Sequence, residues 1–192
     1  MKSEEILVRD IKQNRNGALA VLYDRYAPIF LSISLRYCGN RQDAEDVLHD
    51  GFIKIIKHLH SFKFSSSGSF EGWMKRIIIN TALNFLRDRN KESRFADVNQ
   101  FRDGITDPDD EQDPWKELDD QITKEQIMGM ICDMPLGYRT VFNLYVFEAY
   151  SHREIAEKLQ VSENTSKSQL SKARIFLRKK INEVVVNQKV GS

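Results

Sequence analysis

The sequence predicts an all-α protein in which a flexible acidic linker joins two small helical domains, the second containing a helix-turn-helix. Apolar residues recur at helical intervals from residue 18 to residue 89. Residues 90–119 combine low hydrophobicity, high charge and two prolines, so this stretch does not bury enough surface to fold alone. The helical period returns from Gln121 onward. We therefore place the first domain at 1–92, the linker at 93–120 and the second domain at 121–192.

The composition excludes membrane and secreted proteins. The chain has 192 residues, of which 41% are hydrophobic and 30% charged, enough for one large or two small cores. No apolar run comes near the roughly 20 residues that a membrane-spanning helix needs. The start MKSEEILVRD lacks the apolar centre of a secretory signal. We expect a cytoplasmic protein with no direct membrane insertion.

Motifs for metal binding and catalysis are missing from the sequence. Cys38 and Cys132 lie far apart without CxxC spacing, and the four histidines form no HExxH motif. The sequence also contains no GxxxxGK[ST] and no GxSxG, which phosphate-binding and nucleophile-elbow enzymes carry. A hydrolase built from scattered His and Asp is disfavoured, since no nucleophile and base can be paired. We predict no cofactor, no metal site and no enzymatic activity.

Three amphipathic helices are predicted in the first domain. The apolar faces of the first two are Leu22, Tyr26, Ile29, Phe30 and Ile33 in one helix and Val47, Phe52, Ile53, Ile56 and Leu59 in the next. A Ser- and Gly-rich stretch at 60–70 interrupts the pattern. The segment GWMKRIIINTALNFLRDR then resumes it as a third long helix.

Charge is strongly segregated along the chain, although the formal net charge is only +1. Residues 103–120 hold nine acids and one base. Positive charge concentrates in residues 73–94 and 163–189. A single basic run is usually a solvated helix face, but two such runs on separate helices favour a polyanion with two contact points.

The helix-turn-helix begins at Ser151, which is placed as an N-cap before SHREIAEKLQ. Val161 and Ser162 form the turn and the next cap, and the following helix has a polar, basic face. Short hydrogen-bonding side chains beside lysines suit base edges and phosphates in the major groove. An ordinary helical hairpin is the alternative. Gln160, at a turn position that is often Gly, and Ser166, at a position that is usually apolar, favour that alternative.

Three segments in order resemble the extracytoplasmic-function (ECF) sigma factors of bacterial RNA polymerase. DAEDVLHDGFIKIIKHL, residues 43–59, resembles the segment that binds the polymerase clamp helices. GSFEGWMKRIIINTALNFLRDR, residues 68–89, resembles the minus-10 promoter-reading helix. Residues 134–174 resemble the domain that reads the minus-35 element, although Ala149 stands where that family often has Gly. By this resemblance, 1–92 is sigma domain 2 and 121–192 is sigma domain 4.

The resemblance implies three partners: core RNA polymerase through its clamp helices and flap, promoter DNA, and an anti-sigma factor that covers the polymerase-binding faces. An acidic helix with apolar anchors suits a basic helical partner. The predicted polymerase-binding residues are Asp43, Asp46, Asp50, Phe52, Ile53 and Ile56. Of these helix residues, we expect Phe52, like Val47, to be largely core.

Promoter opening requires a platform for extruded bases and positive charge for the backbone. The predicted minus-10 residues are Phe62, Lys63, Phe64, Ser65, Trp73, Lys75, Arg76, Asn80, Asn84 and Arg87. Trp73 is equally consistent with a core anchor, whereas Asn80 and Asn84 offer a donor and an acceptor to base edges. The predicted minus-35 residues are Ser151, His152, Asn164, Thr165, Lys167, Ser168, Ser171, Lys172 and Arg174.

Two questions stay open at the level of sequence. The acidic linker is either a mimic of a nucleic-acid backbone inside polymerase channels or a soluble spacer. The chain as a whole is expected to be a sigma factor, with a stand-alone helix-turn-helix regulator as the alternative. The alternative predicts duplex binding without polymerase.

Overall fold

The computed structural model describes residues 3–64, 69–89 and 122–190. Within these ranges the chain is helical and holds no strand, which confirms the all-α prediction. The predicted acidic linker at 93–120 lies outside the described residues. Contacts divide the chain into two compact units, Met1–Glu92 and Ser93–Ser192.

In the part of the first unit that the structure describes, there are four helices. They are α1 (Glu4–Lys12), α2 (Ala18–Cys38), α3 (Arg41–Leu59) and α4 (Phe70–Arg89). Helices α2, α3 and α4 each pack against the other two, and α1 packs on α2. Local chemistry sets the helix ends: the Asn40 side chain accepts a hydrogen bond from the Asp43 N–H at the start of α3, and Gly39 ends α2 with a positive φ of 79°.

Aromatic and aliphatic side chains fill the core of this unit. The largest of those that are fully buried are Tyr26, Phe30 and Tyr37 from α2, Ile55 and Leu59 from α3, and Phe70, Met74 and Ile78 from α4. Gly51 allows α3 and α4 to approach closely, because a Cβ built on it would lie 2.4 Å from Cδ1 of Ile78.

Two expectations about α2 require correction. Ile29 was placed on the apolar core face, yet its side chain is exposed. Helix α2 is also long and apolar enough to cross a membrane, contrary to the expectation that no segment is. Length and composition of this kind are weak evidence for a membrane span, and buried Tyr26, Phe30 and Tyr37 pack inside the helical unit.

The second unit contains α5 (Lys124–Cys132), α6 (Leu136–Phe142), α7 (His152–Leu159) and α8 (Glu163–Val190). A π-helical turn, Asn143–Phe147, follows α6 directly. Capping boxes begin α5 at Thr123 and α7 at Ser151, so the predicted Ser151 cap is confirmed. The core is formed by Ile131, Phe142, Leu144, Ile155, Leu170, Ala173 and Leu177.

A buried arginine joins α5 to α6. One guanidinium nitrogen of Arg139, Nη1, donates to the carbonyls of Cys132 at 2.6 Å and Met134 at 3.2 Å. These carbonyls lie at and after the end of α5, where no helical N–H remains to bind them. The Asn143 side-chain amide then donates to the Arg139 carbonyl at 2.8 Å. Buried polar groups thus fix the connection in front of the helix-turn-helix.

Candidate nucleic-acid interface

Helix α4 presents a stripe of polar and basic side chains on the side opposite its buried face. Trp73, Arg76, Asn80, Asn84 and Arg87 follow one another at intervals of three or four residues and therefore share one face. All except half-buried Trp73 are exposed. We call these five residues the α4 stripe. Amides and guanidinium groups in one row offer contacts to base edges and phosphates together.

Two further features of α4 refine the predicted minus-10 set. Asn84 Oδ1 accepts a hydrogen bond of 3.0 Å from Nη2 of Arg87, which orients the amide within the stripe. Lys75, also predicted to contact DNA, lies two residues from Trp73 along the helix and points away from the stripe. The structure therefore brings together five of the six minus-10 candidates on α4.

An aromatic cluster lies where the α4 stripe begins. The ring of Phe62 lies 5.0 Å from that of Phe64, 5.1 Å from Phe70 and 4.8 Å from Trp73 between centroids. Phe62 is only 8% exposed, so little of this predicted minus-10 residue is accessible to DNA. Phe64, 42% exposed, keeps a free face, and Lys63 is exposed.

Trp73 is partly buried against the aromatic cluster. Its ring stacks on Phe70 at 5.8 Å with an interplanar angle of 18°, yet the residue stays half-buried rather than enclosed. It therefore anchors the start of α4 and remains partly accessible to solvent. Ser65, the remaining minus-10 candidate, lies outside the described residues.

The outer face of α3 combines carboxylates with exposed isoleucines. Asp46 and Ile53 point away from the bundle, and Ile53 is 51% exposed. Ile56, 40% exposed, lies on the side of α3 that faces α2. Phe52 is only 5% exposed and packs on Phe30, which confirms the expectation that it is largely core and leaves little of its ring for the predicted polymerase contact.

The N-terminal half of α2 extends this apolar surface. The exposed ring of Tyr23 lies 4.8 Å from that of Phe52, and Leu19, one turn earlier, is also exposed. Neither residue is among those predicted from the sequence. In the sequence, both residues can be recognised because they continue the apolar face of α2 from Leu22 toward the start of the helix. We call Leu19, Tyr23, Ile53 and Ile56 the apolar surface of the first unit.

Asp43 and Asp50, unlike Asp46, lie on the side of α3 that borders α4. Both line an open cleft between α3 and α4, and Asp43 forms an ion pair with Arg89 at the end of α4. Partial burial would raise the Asp43 pKa, but hydrogen bonds from Arg89 and Asn40 outweigh it and hold the pKa below its usual 3.8. Asp43 is therefore held by Arg89 within the unit, and its predicted contact with polymerase stays a prediction.

The outer face of α8 forms the second polar surface. Asn164, Lys167, Ser168, Ser171 and Lys172 lie opposite buried Leu170, Ala173 and Leu177. We call these five outer residues the α8 face. Arg174 points toward the flank of the helix and is half-buried. The Ser162 hydroxyl accepts a hydrogen bond from the Thr165 N–H at 3.0 Å, which confirms Ser162 as the N-cap of α8.

Three of the predicted minus-35 residues hold the helix-turn-helix together. Ser151 Oγ donates to Oε2 of Glu154 at 2.7 Å within the α7 capping box. The hydroxyl of Thr165 lies 2.8 Å from that of Ser162 at the α8 cap. His152 is half-buried, stacks on Tyr145 at 4.7 Å and places Nδ1 2.9 Å from the Ser166 hydroxyl.

Ser166 and Gln160, which differ from the usual helix-turn-helix pattern, have structural explanations. Ser166 is fully buried and is hydrogen-bonded to His152, so a polar pair replaces the usual apolar contact. Gln160 has a φ of 57° and Ala149 a φ of 55°, the left-handed conformation that favours glycine. The backbone is therefore that of a helix-turn-helix even where the residue types differ.

Comparison with known proteins agrees with this geometry. Residues 22–92 match the family Sigma-70 region 2, and residues 124–177 match Sigma-70, region 4, so that the two matches together span about two thirds of the chain. RNA polymerase sigma-H factor of Pseudomonas aeruginosa is 28% identical over 90% of this chain and 91% of its own length. ECF RNA polymerase sigma-E factor of Haemophilus influenzae is 28% identical over 93% of this chain and 95% of its own.

Solved structures give a weaker likeness. Sigma factor RpoE, in complex with the anti-sigma factor NepR from Bartonella quintana, is 17% identical, with a TM-score of 0.49 over 86% of this chain and 98% of that one. The two region matches and the relatives aligned over nearly their whole length identify the family. The chain belongs to the sigma-70 family and is an RNA polymerase sigma factor of the ECF type.

Proposed function

We propose that this sigma factor binds core RNA polymerase, directs it to promoters that carry two DNA elements and helps to open the minus-10 element. It works in the cytoplasm and has no catalytic activity and no cofactor of its own. The main observation that supports this proposal is that the first unit presents two surfaces of opposite chemistry. The α4 stripe is polar and basic, whereas α3 and α2 present carboxylates beside exposed apolar side chains.

The α3 side of the first unit is the proposed surface for the polymerase clamp helices. Asp46 provides negative charge for a basic helical partner, and exposed Asp50 adds to it from the border of the α3–α4 cleft. Ile53 and Ile56 provide apolar area for burial. Tyr23 adds an aromatic ring to the same surface, the kind of side chain that dominates binding energy at interfaces. By family membership, the second unit meets the polymerase flap.

The α4 stripe is the proposed reader of the opened minus-10 strand. Asn80 and Asn84 present amides to base edges, while Arg76 and Arg87 provide charge for the phosphates. Exposed Phe64 lies next to this row and offers a face on which a base can stack. Single-stranded DNA needs this combination of stacking and charge.

The α8 face is the proposed reader of the minus-35 duplex. Its short polar side chains near the helix start fit into a major groove, and Lys167 and Lys172 contact the flanking phosphates. His152 and Ser166 hold the start of this helix against the rest of the unit. The exposed apolar surface of the first unit also suits an anti-sigma factor, because such a partner would cover it in the absence of polymerase.

The test of this proposal is binding of labelled promoter duplex to the protein alone, to core polymerase alone and to both together. We expect tight, sequence-specific binding only when both are present. Ile53→Ala combined with Ile56→Ala should reduce affinity for core polymerase about tenfold or more, because interface anchors contribute about 1–3 kcal/mol each. Val21→Ala, which truncates an equally exposed side chain on the opposite side of α2, is the matched control. Tight duplex binding by the protein alone would instead indicate a stand-alone regulator.

A further inference from the structure

Helix α1 contacts both ends of the segment that connects α3 to α4. Lys12, in its last turn, donates a hydrogen bond of 2.7 Å from Nζ to the Phe62 carbonyl, just after α3. Glu4, in its first turn, accepts one of 3.3 Å at Oε2 from the Phe70 N–H, at the start of α4. These contacts join residues that are 50 and 66 positions apart in the sequence.

The spacing and charge of α1 suit these two contacts. Eight residues of helix separate Glu4 from Lys12, a rise of about 12 Å. A carboxylate near the first N–H groups of α4 is favoured by the helix dipole, and charged partners make the stronger class of hydrogen bond. The other Glu4 oxygen, Oε1, accepts from the Tyr26 hydroxyl at 2.9 Å, so the carboxylate is held from two sides.

Helix α1 is itself a rigid base for these contacts. Leu7, Val8 and Ile11 are buried at 1%, 3% and 6% exposure, and Ser3 caps the helix start by accepting from the Ile6 N–H. An apolar face fixes the helix to the bundle, which leaves Glu4 and Lys12 at its two ends directed at the connecting segment. We therefore expect loss of either contact to affect residues 62–64 or 69–73 rather than α1.

The ends of the connecting segment carry the aromatic residues beside the α4 stripe. Phe62 and Phe70 belong to the aromatic cluster, and Phe64 and Trp73 present its accessible surfaces. Burial of the rings stabilises the cluster but does not by itself fix its direction, because the hydrophobic effect is non-directional. The two hydrogen bonds from α1 fix how the cluster is oriented on the unit.

We propose that α1 is a positioning element for the minus-10 reader, with Lys12 and Glu4 as its positioning residues. The inference rests on the proposed function of the α4 stripe and goes beyond it, since α1 precedes the Sigma-70 region 2 match, which begins at residue 22. The α1 contacts hold Phe64 and Trp73 in register with Asn80 and Asn84.

The first experiment measures hydrogen–deuterium exchange in the free, full-length protein. Lys12→Met and Glu4→Ala should accelerate exchange of the backbone amides in 62–64 and 69–73 by about fivefold or more, because each removes a charge-assisted hydrogen bond. Lys12→Arg should keep the wild-type rate, since it retains a donor. Arg9→Met and Glu5→Ala remove the same charges from exposed positions on α1 and serve as matched controls. Equal rates in all variants would overturn the positioning contacts.

The second experiment selects single-stranded oligonucleotides, randomised over the minus-10 positions, with holoenzyme that contains each variant. Base preference should fall about threefold to tenfold with Lys12→Met and Glu4→Ala, while affinity for core polymerase stays unchanged. Faster exchange with unchanged base preference would reduce α1 to a purely structural role and overturn the proposal. If wild-type holoenzyme selects no sequence, the proposed function fails, and the exchange rates then decide separately whether α1 holds the segment.

Discussion

His152 and Ser166 are the residues through which α7 holds α8. The histidine ring is clamped between Tyr145, on which it stacks, and the buried Ser166 hydroxyl. A buried hydroxyl that keeps its partner stabilises only modestly, but a buried group that loses its partner costs much more. The pair therefore acts as a unit, and its two members must be changed together.

Ser166→Val should lower the free energy of unfolding of the second unit by about 1–3 kcal/mol, because a methyl group then faces Nδ1 of His152. Replacing both partners with apolar residues, as in His152→Phe combined with Ser166→Val, should recover most of that loss. Urea unfolding, followed by circular dichroism, gives both values. A double variant as unstable as the sum of its single variants would contradict the pairing.

Asn80 is the residue on which minus-10 selectivity should depend most directly. Asn80→Ala removes an amide that offers both a donor and an acceptor, so base preference should weaken by about 1–3 kcal/mol at one position of the element. Gln42→Ala, an exposed amide on α3, is the control. Unchanged base preference of the holoenzyme on single-stranded minus-10 DNA would count against the role of the α4 stripe.

At the scale of elements, the two turns around α7 have a left-handed backbone without glycine. Ala149 precedes the helix and Gln160 ends it, both with φ near 57°. A side chain in this conformation is strained by roughly 1–2 kcal/mol, and substitution by glycine relieves that strain. Part of the gain is offset because glycine also gives the unfolded chain more conformational freedom. Each turn is therefore a site where stability can be gained.

Ala149→Gly and Gln160→Gly should each stabilise the second unit by about 0.5–1 kcal/mol. Ala20→Gly, at an exposed position in the first turn of α2, should instead lower stability and shows what the same change does in ordinary helix. Thermal unfolding of the three variants measures the difference. Loss of stability with Ala149→Gly would mean that this turn is unstrained.

The capping box of α7 should make this helix sensitive to acid. Hydrogen bonds from the Ser151 side chain and backbone hold the Glu154 pKa below its usual 4.5. Because the folded-state pKa is the lower one, the stabilising contribution is complete above about pH 5 and is lost as the pH falls through the folded value. Glu154→Gln, compared with wild type by chemical denaturation between pH 3 and pH 7, should show a flatter dependence. Parallel curves would rule out this contribution.

For the whole molecule, the important feature is that two separate compact units each carry one proposed DNA surface. The α4 stripe and the α8 face belong to different units and share no residue. Changes in separate units without shared partners add in free energy. We therefore expect promoter selection to combine two independent readings.

Lys167→Ala should weaken recognition of the minus-35 element while leaving core binding intact, because it removes one phosphate contact beside the groove. Combined with Asn80→Ala, it should reduce promoter affinity by the product of the two single effects. Ser168→Ala tests the same helix without a change in charge. Loss of core binding in the folded Lys167 variant, or a strongly non-additive double variant, would contradict the separation of roles.

The features that sequence predicts well in this chain are local ones. Ser151 and Ser162 cap helices within three residues of their partners, and the alternation of outer and buried residues on α4 and α8 follows from the helical period. Contacts between distant residues were missed for a physical reason. Burial of Phe62 depends on Phe70 and Trp73, across the connecting segment.

The same reason explains the remaining differences. The pairing of Ser166 with His152 spans 14 positions, and no periodicity signals it. Asp43 was assigned to polymerase because it lies on an acidic helix, whereas its partner Arg89 is 46 positions away. The π-helical turn at Asn143–Phe147 needs a hydrogen bond from Glu148 to Asn143, a five-residue spacing that an apolar pattern of period 3.6 does not reveal.

The most direct test of the central claim is transcription by core RNA polymerase from a pool of genomic promoter fragments, with and without this protein. We expect a new set of transcripts whose start sites share two upstream elements. These transcripts should be lost with the Ile53→Ala and Ile56→Ala double variant but not with Val21→Ala. An unchanged set of transcripts, together with tight binding of duplex DNA by the protein alone, would contradict the account.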